Sequence, residues 1–524
     1  MDILFRNESK KDFYTVSDET LDDLAIPEII EAITIKEEEK IILKKIMSQI
    51  PQDLEDIKYR QEIMADLLSN DELTRNLDIS LNQIRVLKYY MERGSISSNR
   101  EATVFSLLED MRELGVYVNS AEQICSYLEK AELSSTGLVS LRDELKRVTG
   151  TEEFNTVKEE VNKLIGELSN VRSIMVGINL TPDLNIDEVV DVEFNDYYFK
   201  PRVTFEEWLS KISTLGAASH GSGALGPDAP ENNNIYHVDP IMVTLAPLMN
   251  KRLKKYFHML KRALTDHMDI DGYLITDLFE GLIFYVSMAK FAKRIKDEGY
   301  TICTPALNDS REFKLTDFYN IRLAIRREEN LVLNDFEFTP KEKMFILTGP
   351  NRGGKTILEQ GIGLAALMSA VGSFVAAKQC SGTPFGKILS HFPQDENLTI
   401  NYGRLGEEAI RTKEIAKESD ATTLVLFNET YSTTSSDDGL YLSKDLVHVL
   451  KEKGASIIFN THIHELASET DEMNQWDGES DIVSIVMEIV DEQNTFKVKR
   501  SAPDRNSHAR NVALKYGITY EQMK

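Results

Sequence analysis

From Asp18 to about Leu180 apolar residues return every three or four positions, with few glycines or prolines between them. That spacing places them on one face of successive α-helices. The segment IIEAITIKEEEKIILKKIMSQI, residues 29–50, reads as helix and should stop or restart at Pro51, because proline cannot continue a helix ladder. LEDIKYRQEIMADLLSN carries a second stripe through Ile57, Ile63, Met64, Leu67 and Leu68, read as core packing. Around Arg172 to Phe199 the texture turns β-branched and alternating, which predicts a short hairpin or small sheet. Residues 215–234, LGAASHGSGALGPDAPENNN, cannot build a core and read as a mobile loop. Helical texture resumes from Asn250 to Glu298, where Leu278, Leu282, Tyr285, Ala289 and Ala292 share one face.

From Lys341 short apolar strands alternate with helices: MFILTGP, an apolar helix, TLVLFNET, a helix, SIIFNTH, and a strand pair near Ile482 to Lys499. Such alternation implies a sheet covered on both faces. The predicted fold class is therefore mixed: a long all-α region followed by an α/β domain. We place the divisions at 1–180 (helical), 181–240 (small β and loop insertion), 241–335 (helical return and connector) and 336–524 (α/β domain). A chain of 524 residues is too long for one core, and its 42% hydrophobic content supports several.

Composition narrows the classes of function. The opening MDILFRNESK lacks the apolar stretch of a secretory signal, and the three cysteines, Cys125, Cys303 and Cys380, have neither metal-ligand spacing nor a disulfide framework. A reducing cytoplasm is expected. The apolar run Gly361 to Ala377 is slightly short for a membrane span and follows a phosphate-loop motif, so it reads as a buried helix and no membrane is expected. A net charge of −26 repels nucleic acid at long range, so any such contact must be local. The candidate is KRLKKYFHMLKR, Lys251 to Arg262, whose spacing equally suits an ordinary helix with a solvated basic face.

The chemistry concentrates in the last third. Gly349-Pro350-Asn351-Arg352-Gly353-Gly354-Lys355-Thr356 fits G-x-x-x-x-G-K-[ST] between a strand and a helix. Polyphosphate binding needs that arrangement because backbone N–H groups and a helix N-terminus bring positive potential close to the anion. Lys355 is expected to reach the β and γ phosphates of ATP, and the Thr356 hydroxyl to ligate Mg²⁺. Leu424 to Phe427 forms a strand ending in Asn428-Glu429, where an Asp commonly helps hold the metal and the next acid polarises the attacking water. Asn428 offers an oxygen without charge, so slow hydrolysis with Glu429 as general base is expected. A third strand ends at Asn460-Thr461-His462, where His462 is placed to sense the γ phosphate; His464 is left as surface.

These residues resemble the MutS family of DNA mismatch repair ATPases, through TGPNRGGKT at 348–356, LVLFNETYSTTSSDDG at 424–439, NTHIHEL at 460–466 and KVKRSAPDRNSHARNVALKYGI at 497–518. EDIKYRQEIMADLL and FYVSMAKFAKRIKDEGY look like the family's helical core and lever. The resemblance implies an ABC-like nucleotide domain and a homodimer whose arms surround a substrate, with Thr433, Thr434, Ser435 and Asp438 near the dimer face; their alternative is turn and helix capping. Departures bear on function: no counterpart of the Phe-x-Glu mismatch wedge is found, Gly403 to Glu408 lacks the signature serine, Asn428 replaces the usual Asp, and no module is expected beyond Lys524. The expected function is an ATP-dependent switch on branched or distorted DNA. The alternative is an ATP-gated scaffold for a protein or ribonucleoprotein such as the ribosome, with little catalysis.

Overall fold

The computed structural model describes residues 2–6, 11–97, 104–169, 172–183, 186–199, 273–328, 331–350, 352–393, 403–432, 434–490, 493–503, 517 and 520–524. The loop expected at 215–234 and the basic stretch 251–262 lie outside the described residues. The chain divides into two compact units: residues 1–82, 124–145 and 277–524 make the first, and 83–123 with 146–276 the second.

In the first unit a short strand β1 (Phe13–Thr15) precedes helices α1 (Asp18–Asp23), α2 (Ile26–Ile33) and α3 (Glu37–Met47), then β2 (Gln49–Pro51) and α4 (Leu54–Ser69). The single helix expected over 29–50 is divided. Thr34 takes an extended conformation after α2, and residues 49–51 pair antiparallel with β1, so Pro51 ends a strand. α4 starts beyond it, where the Asp53 carboxylate accepts from the Glu55 N–H as an N-cap. Its expected stripe is buried at Ile57, Ile63, Met64 and Leu67, with Leu68 half-buried, but Arg60 is also fully buried. The Arg60 guanidinium stacks on Phe5 at 4.7 Å and donates to the carbonyl of Leu4.

Helices α5 (Asp71–Ser97), α6 (Val104–Lys130), α7 (Thr136–Thr149) and α8 (Glu152–Ser169) follow; parts of the first three and all of α8 belong to the second unit. That unit also holds the predicted hairpin, β3 (Ser173–Leu180) paired antiparallel with β4 (Ile186–Asn195). From Asp277 on, α9 (Tyr273–Asp297) belongs to the first unit; it buries the expected Leu278, Leu282, Tyr285, Ala289 and Ala292, and also Phe279, Ile283, Phe284 and Phe291, so it is enclosed on most sides.

The remaining chain builds two sheets. Strands β5 (Ala306–Leu307), β6 (Phe313–Phe318), β7 (Asn334–Phe338) and β9 (Gln379–Gly382) form a small sheet in the order β5-β9-β6-β7, with the short helix α10 (Ile321–Ile325) between β6 and β7. The large sheet runs β10 (Lys387–His391), β11 (Thr423–Asn428), β12 (Ser456–Asn460), β8 (Glu342–Thr348), β13 (Asp481–Val490), β14 (Gln493–Arg500). Its first five strands are parallel, and β14 returns antiparallel on β13. Alternate side chains go to opposite faces: Met344, Ile346, Val425, Phe427, Ile457 and Phe459 share one core with α13 (Ser436–Glu452). The apolar helix is α11 (Lys355–Ala370), buried almost throughout. It ends earlier than the hydrophobic run, because Gly372 turns the chain with φ +81°. Among the described residues no helix is long and apolar enough to cross a membrane.

Candidate functional site

Register assembles the site. Asn428 at the end of β11 lies opposite Asn460 at the end of β12, and Asn460 lies opposite Leu347 near the end of β8. Three strand termini thus stop at one level on the carboxyl edge of a parallel sheet, where ligands of such sheets bind. The phosphate-loop sequence leaves β8 at that level and enters α11. Gly354 is the helix N-cap with φ +88° and supplies no side-chain cap, so the first-turn N–H groups are left for another acceptor. Asn351 lies outside the described residues; Gly349, Pro350, Arg352, Gly353, Gly354, Lys355 and Thr356 are all in place around the turn.

The Lys355 ammonium is buried and donates to the carbonyls of Gly349 at 3.1 Å and Pro350 at 3.3 Å. Burial pushes it below its ordinary value, while Glu429 and Glu359 push the other way. A cation whose desolvation is incompletely offset gains when an anion arrives. The Thr356 hydroxyl donates to the Asn428 side-chain oxygen at 3.2 Å, so the two residues expected to hold a metal stand in contact. A hydroxyl and an amide are hard, neutral oxygen donors, a set that suits Mg²⁺ when phosphate oxygens supply the charge. Among the described residues no group of three or more His, Cys, Asp or Glu side chains could hold a metal without such help.

Glu429 follows β11 with φ +52°, and its N–H donates to the carbonyl of Asn460. Its carboxylate meets the His462 ring nitrogen Nε2 at 3.0 Å. That contact first, and the nearby Lys355, hold Glu429 below the ordinary carboxylate value despite partial burial, so it is ionised at neutral pH. His464, expected at the surface, is half-buried at the start of a short helix. Ser435 caps α13, accepting from the Asp438 N–H and donating to its carboxylate, which is the capping alternative foreseen for these residues; Thr433 lies outside the described residues. Gly403 opens helix α12 (Gly403–Glu418).

A cavity of about 760 Å³ opens beside the loop. Its lining combines the polar Lys355, Thr356 and Glu429 with the apolar Phe318, Leu323, Val332 and Phe496, and Arg327, Glu328 and Asn334 also border it. The sequence singled out none of these apolar residues, which come from the small sheet, its connections and β14. It named Asn460 at a strand end without giving its buried amide a role, and it missed the buried Glu359 on α11 and the buried His391 at the end of β10, whose Nδ1 lies 2.9 Å from the Thr430 hydroxyl.

A phosphate-loop sequence, a buried lysine and three aligned strand ends on a mostly parallel sheet define an α/β domain whose sheet edge is of the kind at which such folds place ligands. Residues 345–521 match the family model for MutS domain V, and residues 52–222 match that for the MutS2 N-terminal domain. The chain belongs to the MutS family. It is similar to the DNA mismatch repair protein MutS of Shouchella clausii, 28% identical over 36% of this chain and 22% of that protein. It also resembles the Endonuclease MutS2 of Halothermothrix orenii, 21% identical over 92% of this chain and 61% of that protein. The DNA mismatch repair protein MutS of Bacillus subtilis is 21% identical over 75% of this chain and 51% of its own length. The chain thus spans between about a fifth and three fifths of these curated relatives.

Proposed function

We propose that the protein is an ATP-dependent switch in which nucleotide binding at the edge of the large sheet sets the state of a DNA-associated assembly. The observation that carries this reading is the common level of the β8, β11 and β12 ends: Lys355, Thr356 and Glu429 line a cavity large enough for a nucleotide, and Asn428 and His462 stand behind them in contact with Thr356 and Glu429. In the ABC-like domain we assign to 336–524, the loop from Gly349 to Thr356 takes the phosphates. The apolar wall of Phe318, Leu323, Val332 and Phe496 takes the base. Thr356 and Asn428 would hold Mg²⁺, whose chemistry is to offset charge on the phosphate oxygens.

Glu429, ionised at neutral pH, is the acceptor for the proton of an attacking water, and His462 orients its carboxylate. Asn428 contributes no negative charge, so we infer slow turnover. Coupling to DNA requires that nucleotide bind two states of the protein differently, and we infer a cytoplasmic homodimer through the nucleotide domains. Calorimetry with MgATP is the first test: the native chain should give saturable heat and Lys355→Ala none. Branched and duplex DNA at two salt concentrations form the second. Affinity that depends on nucleotide and falls steeply with salt supports the switch, whereas no affinity for any DNA form in either nucleotide state refutes it.

One observation favours a second reading, a nucleotide-gated scaffold for a protein or ribonucleoprotein. The β4 strand carries Asp187, Glu188, Asp191 and Glu193, four of the acidic residues that give the chain its net charge of −26. A partner recovered with ATP-bound protein after nuclease treatment would support it.

A further inference from the structure

Beneath the phosphate loop three buried polar side chains form a line. The Asn460 amide nitrogen donates to the Asn428 side-chain oxygen at 2.6 Å and to Glu359 Oε2 at 3.2 Å. The Asn428 oxygen also accepts from Thr356, at 3.2 Å. Asn460 and Glu359 are fully enclosed, and Asn428 is 7% exposed. The line is held at a cost: Glu359 Oε1 and the Asn460 side-chain oxygen are buried without a hydrogen-bond partner among the described residues. Leu358 and Ile362 on α11, Leu426 on β11 and Ile458 on β12 are apolar and buried, so polar groups left short of partners at this level are costly. A leucine at 359 and an alanine at 460 would suit that environment, so the polar pair has another use.

The use follows from the chemistry of an amide. A carboxylate at 428 would present an oxygen to Thr356 whichever way it turned, because its two oxygens are equivalent. An amide has an oxygen on one side and an NH₂ on the other, and only the oxygen can accept from Thr356 or face a cation. Something must fix which side points inward.

Resting on the nucleotide-site reading above, we propose that Asn460, braced by Glu359, is a positioning residue that fixes the Asn428 amide with its oxygen toward Thr356 and the cation site. Glu359 Oε2 accepts from the Asn460 NH₂ and so fixes which side of that amide faces 428; the NH₂ can donate there only to an oxygen. The pair makes an asparagine usable where an aspartate would need no such help.

The test is the magnesium dependence of nucleotide binding, read by calorimetry or a fluorescent ATP analogue, without reference to turnover. Asn460→Ala should raise the magnesium concentration for half-maximal ATP binding about tenfold, the usual scale for loss of a group that orients a metal ligand. Glu359→Leu should do the same, since leucine removes the acceptor. In the Asn428→Asp background Asn460→Ala should shift the requirement less than about twofold, because a carboxylate cannot be presented the wrong way round. Equal shifts in both backgrounds, or no shift in either, overturn the proposal, and Glu359→Leu serves as the second probe should Asn460→Ala fail to fold. If the native chain binds no ATP at any magnesium concentration, the nucleotide-site reading itself has failed, a result distinct from native binding that the variants leave untouched.

Discussion

Acidification is expected to weaken the large sheet through one histidine. His391 ends β10, is 4% exposed, and has its ring against the hydroxyl of Thr430, the residue after Glu429. Burial, and secondarily the nearby Arg411, lower its pKa from 6.5 to about 4. A histidine whose folded value lies below its unfolded value binds fewer protons in the native state, so its contribution to stability is complete above 6.5 and is lost as pH falls toward 4. At 1.36 kcal/mol per unit, the shift corresponds to about 3 kcal/mol across that window. Urea unfolding followed by circular dichroism at several pH values, comparing the native chain with His391→Gln, isolates this group from the many carboxylates that titrate in parallel. The difference between the two proteins should grow steadily in favour of the variant from pH 6.5 to pH 4 and be flat above 7. Parallel curves over the whole range would mean that the ring is solvated or accepts its proton in place, and the reasoning would be refuted.

Three further outcomes can be measured. Asp23 accepts from Arg411, from the Ser390 hydroxyl and from the Phe392 N–H, and burial raises its carboxyl above the ordinary value. Asp23→Ala should destabilise the first unit by about 2–3 kcal/mol, discounted for the partly exposed Arg411, seen as a lower urea midpoint; a midpoint unchanged within error would show that the cluster is solvated. Gly372→Ala would set a Cβ 2.5 Å from Arg60 Cβ at a φ of +81°, and should cost about 2 kcal/mol; thermal melting checks it, and no loss would place the turn elsewhere. Asn428→Asp should raise ATP turnover about tenfold if charge at the metal is what limits it, and a steady-state rate equal to the native one would show that another step does.

What the sequence disclosed was local in character. The phosphate loop, the ends of β11 and β12 and the final strand pair are contiguous signals in which residue type, spacing and strand-helix order agree. Hidden from it were the groups whose role depends on what folds over them. Glu359 sits one turn into a helix where a charged residue reads as solvent-facing, yet α11 is enclosed by the sheet and the helical layer. Arg60 breaks an apolar stripe and reads as its polar edge, but Leu4 and Phe5 close over it. The division of 29–50 into two helices and a strand was not legible because its helical periodicity is continuous; the interruption at Thr34 goes with the packing of α2, where Glu28 pairs with Arg322 and Arg326 from beyond α9. The apolar wall of the cavity was missed because its residues come from separate stretches of chain.

The bonds that tie α1 to the large sheet span unusual distances along the chain. Asp23 meets Ser390 across 367 positions, and its carbonyl accepts from Gln360 across 337. During synthesis at about 5–20 residues per second, the first helices would leave the ribosome roughly 20–70 seconds before the strand they cover exists. In that interval α1 and α2 expose Leu21, Leu24, Ile26 and Ile29, all of which end up buried. A fragment restricted to 336–524, however complete its motifs, would leave uncovered the flank of its sheet that α1 closes in the whole chain.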